Sequence, residues 1–206
     1  MTLDGKIATK SGDSHISSNQ DLQHLHSMRA ESDAVMIGIG TQLKDDPLLT
    51  VRRVKGRTPI RVIIDNLAKT PPNSRIFSAK DGRIIIAVSN KAPTTRLAKL
   101  RCAGAEVIHC GIERVNLSKL LSKLRSEGIR SILLEGGGGL NWSMLREGLV
   151  DEVIVTIAPL IAGGEEATTV VEGAGARDMN SAIKLSLRNV GRTGKEIVLS
   201  YKVEIS

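Results

Sequence analysis

Six short runs of aliphatic, mostly β-branched residues limit the folds open to this chain more than any other feature of the sequence. They lie at residues 34–37, 61–64, 83–88, 107–108, 132–134 and 153–157. Such runs, with almost no polar alternation, are typical of strands buried on both faces in a parallel sheet covered by helices. Two later segments, 183–190 and 197–205, alternate apolar and polar residues, which predicts a half-buried antiparallel pair joined by a hairpin loop at 191–194.

Helical patterns occupy the intervals between the predicted strands. Four leucines between residues 117 and 124 follow the spacing of an amphipathic helix, and Asn116 is a suitable N-cap. Three more helices are predicted at 22–28, where Ser18 and Asp21 resemble a capping box, at 97–103, and from the glycine run 136–139 to Leu149. This order predicts an α/β fold with a mostly parallel sheet, an antiparallel pair at its edge, and a single domain over residues 1–206.

Charge and composition narrow the classes of binding partner. The formal net charge of +7 fits ordinary surface charge, attraction of phosphorylated small molecules, or nucleic-acid binding. The only aromatic residues are Phe77, Trp142 and Tyr201, too few for the stacking platform of a single-strand binder, so we expect no nucleic-acid partner. No apolar segment reaches the roughly 18 residues that a membrane helix needs, and no signal peptide is recognisable, which predicts a cytoplasmic protein without a membrane partner.

The strongest local signal is the segment from residue 132 to residue 141. A predicted buried strand ends in Glu135, and four glycines lead from it into a helix. Glycines let backbone N–H groups approach a phosphate closely, and a helix N-terminus adds partial positive charge. Ligands of such sheets bind beyond the carboxyl ends of the strands. The segment therefore predicts a phosphate-binding loop, and Glu135 could bond substrate hydroxyls or amines; the alternatives are a turn with only a packing role and a surface acid.

Two other segments carry candidate functional groups. In residues 38–52, Thr41 and Asp45 would share a face of a short helix that ends before Pro47, and Arg52 offers a two-pronged donor for a phosphate. In residues 3–17, Lys6 is followed by a polar run. Both segments could equally be solvated surface, so on local grounds alone neither establishes a site.

Metal and hydrolase chemistry have no support in the sequence. His24 and His26 are two residues apart, which places them on different faces of a helix, and no HExxH motif occurs. No Gly-x-Ser-x-Gly signature is present either. We therefore expect no metal site.

The motifs "MTLDGKIA", "GIGTQLKDDPLLTVR", "LLEGGGGLNWSML" and "LVDEVIVTIAPLIAGG", in this order, resemble the reductase family of riboflavin biosynthesis over essentially the whole chain. This family comprises the C-terminal domain of bifunctional deaminase–reductases and stand-alone archaeal and fungal reductases. The resemblance implies a dihydrofolate-reductase-like fold and a homodimer. The chain lacks the zinc signature of a cytidine deaminase. It thus resembles the stand-alone archaeal type, which reduces 2,5-diamino-6-ribosylamino-4(3H)-pyrimidinone 5′-phosphate to the ribitylamino compound.

The resemblance also assigns site residues wherever the motifs match. Among the titratable residues, Lys6, Asp45 and Glu135 are the catalytic candidates, for proton handling or for orienting groups, and the sequence does not identify the acid among them. Substrate contacts would be Lys6, Ser14, Arg29, Leu49, Arg52 and Glu135, with the two arginines on the 5′-phosphate. Cofactor contacts would be His15, Thr41, Asp45, Ser89, Gly137, Gly138, Gly139, Leu140, Asn141, Trp142 and Ser143. The implied cofactor is NADPH, with NADH as the alternative, and the implied reaction is hydride addition at the sugar C1′ of an imine formed by ring opening.

One departure from the family pattern concerns the N-terminus. Family members usually carry a strand just before the "MTLDGK" motif, whereas this sequence starts within the motif. We expect either a neighbouring element in the place of that strand or residues that precede Met1.

Two rival functions remain open at the level of sequence. Another dihydrofolate-reductase-like oxidoreductase would reduce a pterin and would not need a substrate phosphate, against which the pair Arg29 and Arg52 argues. A non-catalytic nucleotide-binding module would retain the glycine loop, but it would not need Lys6, Asp45 and Glu135 together.

Overall fold

The aliphatic runs in the middle of the chain form the strands of one parallel sheet. We describe this sheet from a computed structural model, which describes residues 1–79 and 81–204. Its five strands are β1 (Ala34–Gly38), β2 (Ile60–Ile64), β3 (Ile84–Val88), β4 (Glu106–His109) and β5 (Ile132–Gly136), in the spatial order β4-β3-β2-β1-β5. Every neighbouring pair is parallel. The prediction of a parallel sheet is therefore confirmed.

This sheet belongs to one of two units into which the chain divides. The sheet unit comprises Leu25–Gly136, and the second unit comprises residues 1–24 and 137–206. In the sheet unit, β3 is buried along its whole length and β1 at all but its last residue. Their side chains join an aliphatic core whose members include Val35, Ile37, Ile63, Ile86, Val88, Leu97 and Leu100. The core is aliphatic, as the scarcity of aromatic residues requires.

The helices follow the predicted pattern closely. They are α1 (Asn19–Glu31), α2 (Ile39–Asp45), α3 (Thr94–Cys102), α4 (Leu117–Ser126) and, in the second unit, α5 (Gly138–Arg146). Asn116 caps α4 as predicted, because its Oδ1 accepts a hydrogen bond of 2.8 Å from the backbone N–H of Lys119. The capping box of α1 is only half formed: Ser18 Oγ accepts from the Asp21 N–H, but the backbone N–H of Ser18 donates to Glu196. Helix α5 ends before Leu149, which the sequence pattern had included.

Three antiparallel strands form a separate sheet in the second unit. They are β6 (Glu152–Ile157), β7 (Leu185–Thr193) and β8 (Glu196–Val203), in the order β6-β8-β7. The prediction of an antiparallel C-terminal pair is confirmed, but the pair does not extend the parallel sheet. The prediction that 153–157 is buried on both faces is wrong, since β6 pairs antiparallel with β8 and is partly exposed. The hairpin turn is Gly194–Lys195 rather than 191–194, because β7 continues to Thr193. Residue 205 lies outside the described residues.

One charged residue, Arg61, lies within an aliphatic run and is buried in the fold. Arg61 opens the second run, and its side chain is fully buried in β2. Its guanidinium donates to the backbone carbonyls of Ile76, Asp81 and Gly82, at 2.8, 2.5 and 3.1 Å. Burial lowers the pKa of Arg61 below its usual value. The arginine therefore holds the loop that precedes β3, which is a structural role.

No helix in the described part of the chain is long and apolar enough to cross a membrane.

Candidate functional site

In the sheet unit, an ion pair with both partners largely buried lies at the end of β5. Arg29, in the last turn of α1, donates from Nε and NH2 to the two carboxylate oxygens of Glu135, each at 2.6 Å. The side chains are only 9% and 12% exposed. Arg29 NH1 also donates to the carbonyl oxygen of Thr50 at 3.2 Å. Three of the five N–H donors of this guanidinium are thus used within the protein, and the assignment of Arg29 to the substrate phosphate stays a prediction.

Arg52 is placed quite differently from Arg29. It is exposed, and its NH1 donates to the Thr50 hydroxyl at 2.6 Å. In the described part of the chain, no carboxylate forms an ion pair with it. Its pKa lies below the usual value, first because neighbouring atoms exclude part of its water and then because Arg29, Arg75 and Arg53 add positive charge. An anion bound at Arg52 would relieve this excess of positive charge.

His26 is the neighbour of Arg52 that sequence reasoning missed. It is 3% exposed, and its Nδ1 accepts the backbone N–H of Arg52 at 3.0 Å. Burial lowers its pKa to about 4, and the charges of Arg29, Arg52 and Arg53 contribute in the same direction. The available signal was its position three residues before Arg29, which places both side chains on one face of α1.

Helix α2 carries the predicted cofactor contacts Thr41 and Asp45. As predicted, the two residues lie one turn apart on a short helix that ends at Asp45, and the next residue, Asp46, adopts a left-handed conformation with φ 39°. The Asp46 carboxylate accepts hydrogen bonds from the Gln42 side chain and the Arg75 backbone N–H. Asp45 faces solvent and Thr41 is half-buried. Asp46 therefore stabilises the helix end, and Asp45 is the carboxylate that a ligand can reach.

Two other predicted contacts are built into the sheet unit. Ser89 is fully buried, and its hydroxyl donates to the Asn66 carbonyl at 2.9 Å and accepts the Lys91 N–H at 3.2 Å. The Leu49 side chain is 2% exposed and packs in the aliphatic core, with φ at 54°. Both side chains are thus buried within the sheet unit, and the Ser89 hydroxyl already has hydrogen-bond partners.

The four glycines of the predicted phosphate loop have distinct roles. Gly136 is the last residue of the sheet unit, and the other three belong to the second unit. Gly136 and Gly137 adopt φ angles of +100° and +80°, which other residues rarely reach. A Cβ on Gly138 would lie 2.5 Å from Cγ of Glu172, so this glycine is required for packing. A Cβ on Gly139 would meet nothing within 4 Å. The packing explanation therefore holds for Gly138, while the surface at Gly139 is open to a ligand.

The start of α5 has the features of a nucleotide phosphate site. Gly137 is its N-cap, and no described side chain caps the helix. Two buried polar atoms nearby, Asn141 Oδ1 and Trp142 Nε1, have no hydrogen-bond partner among the described residues. Asn141 is held by its other amide atom, which donates to the Val170 carbonyl at 2.8 Å. Uncapped backbone N–H groups and orphaned polar atoms fit the phosphates and polar groups of a dinucleotide.

The rest of this predicted loop supports the helix. The Ser143 hydroxyl donates to the Gly139 carbonyl at 2.9 Å, and Leu140 is half-buried. A Cβ on Gly173 would lie 2.9 Å from the indole ring of Trp142, so the backbone at Gly173 packs directly against this ring. The 170–173 segment and the loop at the start of α5 thus form one packed structure.

Lys6, Ser14 and His15 also lie in the second unit. Lys6 is half-buried, pairs with Thr169 in an isolated bridge, and directs Nζ to the Ala167 carbonyl at 3.4 Å. Ser14 is exposed, and the His15 ring, 97% exposed, contacts Asp13 Oδ1 at 2.7 Å. The His15 backbone N–H donates to the same oxygen at 3.0 Å, and this hydrogen bond, followed by the ring contact, holds the pKa of Asp13 below its usual value. Of the three candidates, Lys6 is the one that is half-buried and bound to the 167–169 segment.

Within residues 1–79 and 81–204, no group of three or more histidine, cysteine, aspartate or glutamate side chains could hold a metal ion.

Comparison with known proteins relates these residues to a family. The family model described as the RibD C-terminal domain matches residues 1–199. A 2,5-diamino-6-ribosylamino-4(3H)-pyrimidinone 5′-phosphate reductase of Methanothermobacter thermautotrophicus is 48% identical over 207 residues, covering 99% of this chain and 95% of the relative.

Solved structures confirm the fold. The structure of a deaminase/reductase from Thermotoga maritima, 28% identical, superposes with a TM-score of 0.79 over 98% of this chain. The match covers 54% of that protein, so this chain spans about half the length of this relative. A dihydrofolate reductase from Enterococcus faecalis, 13% identical, gives a TM-score of 0.52, and this likeness concerns the fold alone. The predicted dihydrofolate-reductase-like fold is confirmed.

Proposed function

This chain belongs to the RibD C-terminal domain family, and on that premise we propose that it is an oxidoreductase of riboflavin biosynthesis. It reduces the ribosyl group of 2,5-diamino-6-ribosylamino-4(3H)-pyrimidinone 5′-phosphate with a nicotinamide cofactor and yields the ribitylamino product. The observation that carries this proposal is the pair of groups joined through Thr50: a carboxylate fixed by Arg29, and a cation, Arg52, with no acidic partner among the described residues.

The two groups suit opposite ends of such a substrate. Each oxygen of Glu135 accepts one hydrogen bond from Arg29 and keeps a lone pair for a substrate hydroxyl or amino group. Arg52 presents an exposed guanidinium to the 5′-phosphate, with which it can form charge-assisted hydrogen bonds. Arg29 acts indirectly, since it orients Glu135 and holds the Thr50 carbonyl.

The chain offers distinct residues for the cofactor. We assign Thr41 and Asp45 on α2, and the segment 137–143 with its open surface at Gly139 and its orphaned polar atoms, to cofactor contacts. His15 and Ser89 remain proposed contacts, although the Ser89 side chain is already hydrogen-bonded. The basic net charge of +7 favours NADPH over NADH, since NADPH carries an additional phosphate. When bound, the cofactor supplies the hydride.

The protein has to orient the substrate and deliver a proton. Ring opening of the ribosylamine gives an imine; a hydride adds to C1′, the C=N double bond becomes a single bond, and a proton goes to nitrogen. Lys6, Asp45 and Glu135 are the titratable groups that we propose for orientation and proton transfer. Since Arg29 engages both oxygens of Glu135, we assign this residue to orientation, which leaves Lys6 and Asp45 for the proton.

The proposal is tested by following oxidation of NADPH at its near-ultraviolet absorbance with the ribosylaminopyrimidine phosphate, and with dihydrofolate in parallel. We expect turnover with the former substrate only, and its loss in folded Glu135→Gln and Lys6→Ala variants. Turnover with dihydrofolate instead would identify a different reductase. Cofactor binding without turnover of either substrate would identify a binding module.

We further propose that the protein is a homodimer. Alternate residues along β6, β8 and β7 pair across the sheet and point to the same face. One of the two faces is apolar at nearly every position. Its exposed members include Leu185, Leu187, Val190 and Ile197, which are 41%, 56%, 59% and 48% exposed. A continuous apolar face of this kind is characteristic of a protein interface. Light scattering should give twice the chain mass for the wild type and a monomer for Leu187→Asp; a monomeric wild type would overturn this part.

Two broader expectations complete the proposal. We propose that residues 1–206 act as one reductase domain, because the second unit draws on both ends of the chain and no single cut would separate it from the sheet unit. We also propose a cytoplasmic location, in keeping with two cysteines that are both free.

A further inference from the structure

We propose that His26 is a positioning residue: it fixes the backbone of Arg52 so that the guanidinium is held ready for an anionic group of the ligand. This inference rests on the proposed function, in which Arg52 contacts the substrate phosphate. His26 itself makes no contact with the ligand. It acts through one hydrogen bond, from the Arg52 N–H to its Nδ1, of 3.0 Å.

The hydrogen bond requires one form of the imidazole ring. Nδ1 accepts a hydrogen bond from a backbone N–H, so it carries no proton itself, and the single proton of the neutral ring resides on Nε2. A protonated ring would place two N–H groups opposite each other. The surroundings favour the neutral ring: the side chain is 3% exposed, and the charged groups around it are Arg29 from α1 and Arg52 and Arg53 from the following segment.

The contact completes a closed set of hydrogen bonds around residues 50–52. The Thr50 carbonyl accepts from Arg29 NH1, the Thr50 hydroxyl accepts from Arg52 NH1, and the Arg52 backbone donates to His26. Arg29 and His26, on one face of α1, are therefore hydrogen-bonded to the two ends of the 50–52 segment. No described carboxylate pairs with Arg52, so its described contacts here are the backbone hydrogen bond to His26 and the side-chain hydrogen bond to the Thr50 hydroxyl.

Two substitutions at the same position separate positioning from simple packing. His26→Asn keeps an acceptor oxygen close to the place of Nδ1, while His26→Leu fills similar space without an acceptor. Arg52→Gln gives the reference for a lost phosphate contact. Each variant is assayed for kcat and KM with the phosphorylated substrate and with its dephosphorylated riboside, and thermal unfolding confirms that each variant folds.

We expect His26→Leu to raise KM for the phosphorylated substrate about tenfold, because the Arg52 backbone loses the hydrogen bond that holds its guanidinium ready for the phosphate. We expect kcat, and KM for the riboside, to change by less than about twofold, since uniform binding of the phosphate is what is lost. His26→Asn should restore KM. Equal losses with both substrates, or a failure of His26→Asn to restore KM when it folds like the wild type, would overturn the proposal.

A direct binding measurement separates this proposal from the proposed reaction. Calorimetry with inorganic phosphate as the probe needs no turnover. Weaker phosphate binding in His26→Leu and in Arg52→Gln, with wild-type binding in His26→Asn, supports the positioning role even if the wild type reduces neither test substrate. Equal phosphate binding in wild type and His26→Leu refutes the role even if the enzyme is an active reductase.

Discussion

The residues at the end of β5 and those at the start of α5 are both candidate binding groups, but they are prepared for a ligand in opposite ways. Around Thr50, charged and polar side chains satisfy one another: Arg29 pairs with Glu135, and His26 accepts from Arg52. At the start of α5 the helix has no side-chain cap, and two buried polar atoms have no described partner.

The difference shows which interactions hold each group of residues in place. The cluster around Thr50 is held by side-chain contacts between residues that are far apart in the sequence, since Arg29 and Glu135 are 106 residues apart. The glycine loop is held by backbone geometry and by close packing, for example of Glu172 against Gly138. We therefore expect substitutions in the first region to change stability and function together, and those in the second to separate them.

The largest effect is expected from Arg29→Met. The substitution keeps most of the side-chain volume but leaves the Glu135 carboxylate largely buried without its partner, which should destabilise the fold by about 3–5 kcal/mol. Urea unfolding measures this change. Arg57→Met is the matched control, because Arg57 also pairs with a carboxylate, that of Asp33, but its side chain is 69% exposed. This substitution should lower the stability by less than about 1 kcal/mol.

A double variant shows whether the pair is needed for stability or for function. Arg29→Met with Glu135→Leu removes both charges, so most of the stability should return while activity does not. A single Arg29→Met variant as stable as the Arg57→Met control would show that the pair contributes little, and it would remove the contrast with the glycine loop.

The next effect concerns the pH dependence contributed by His26. Its pKa is about 4 in the folded chain against 6.5 as the ordinary value. Between these two values the unfolded chain binds a proton that the folded chain does not, so stability is lost as the pH falls from about 6.5 to about 4. The full effect is roughly 3 kcal/mol. The stability of wild type minus that of His26→Asn, measured across this window, isolates the contribution of His26; a constant difference would contradict it.

Much of the parallel sheet was predictable because its signal is local. Each buried strand is a short aliphatic run, and each helix has its own periodicity and, for α4, its own cap at Asn116. The antiparallel sheet was harder to assign. An apolar strand such as β6 looks alike in a parallel or an antiparallel setting, and its partner β8 lies about forty residues further along the chain.

The residues of the candidate site also differ in whether their signal is local in the sequence. The glycine loop, Asp45 and Arg52 were visible as local motifs. The commitment of Arg29 to Glu135 and the role of His26 were not, because each depends on a contact between distant segments. A resemblance assigns residues to a ligand, but it does not show which of them the fold itself has already engaged, as it has Ser89 and Leu49.

The smallest expected effects, and the finest comparison, concern two adjacent glycines of the loop. An alanine at residue 138 would place its Cβ 2.5 Å from Glu172 Cγ, which should cost about 1–3 kcal/mol through overpacking. At residue 139 an added Cβ meets nothing within 4 Å, so alanine should stabilise α5 by about 0.5–1 kcal/mol through its higher helix propensity. Unfolding midpoints in urea measure both changes.

Cofactor affinity should follow a different order from stability. If the open surface at Gly139 receives a phosphate, then Gly139→Ala, although more stable, should bind the cofactor at least about tenfold more weakly, because the methyl group keeps the phosphate from the backbone. In Gly138→Ala the main effect should be the loss of stability. A second substitution, Glu172→Ala, should recover part of that loss by removing Cγ and Cδ. A Gly139→Ala variant with unchanged cofactor affinity would mean that the opening at this glycine is ordinary solvent-exposed surface, and the glycine loop would then be explained by backbone conformation and packing alone.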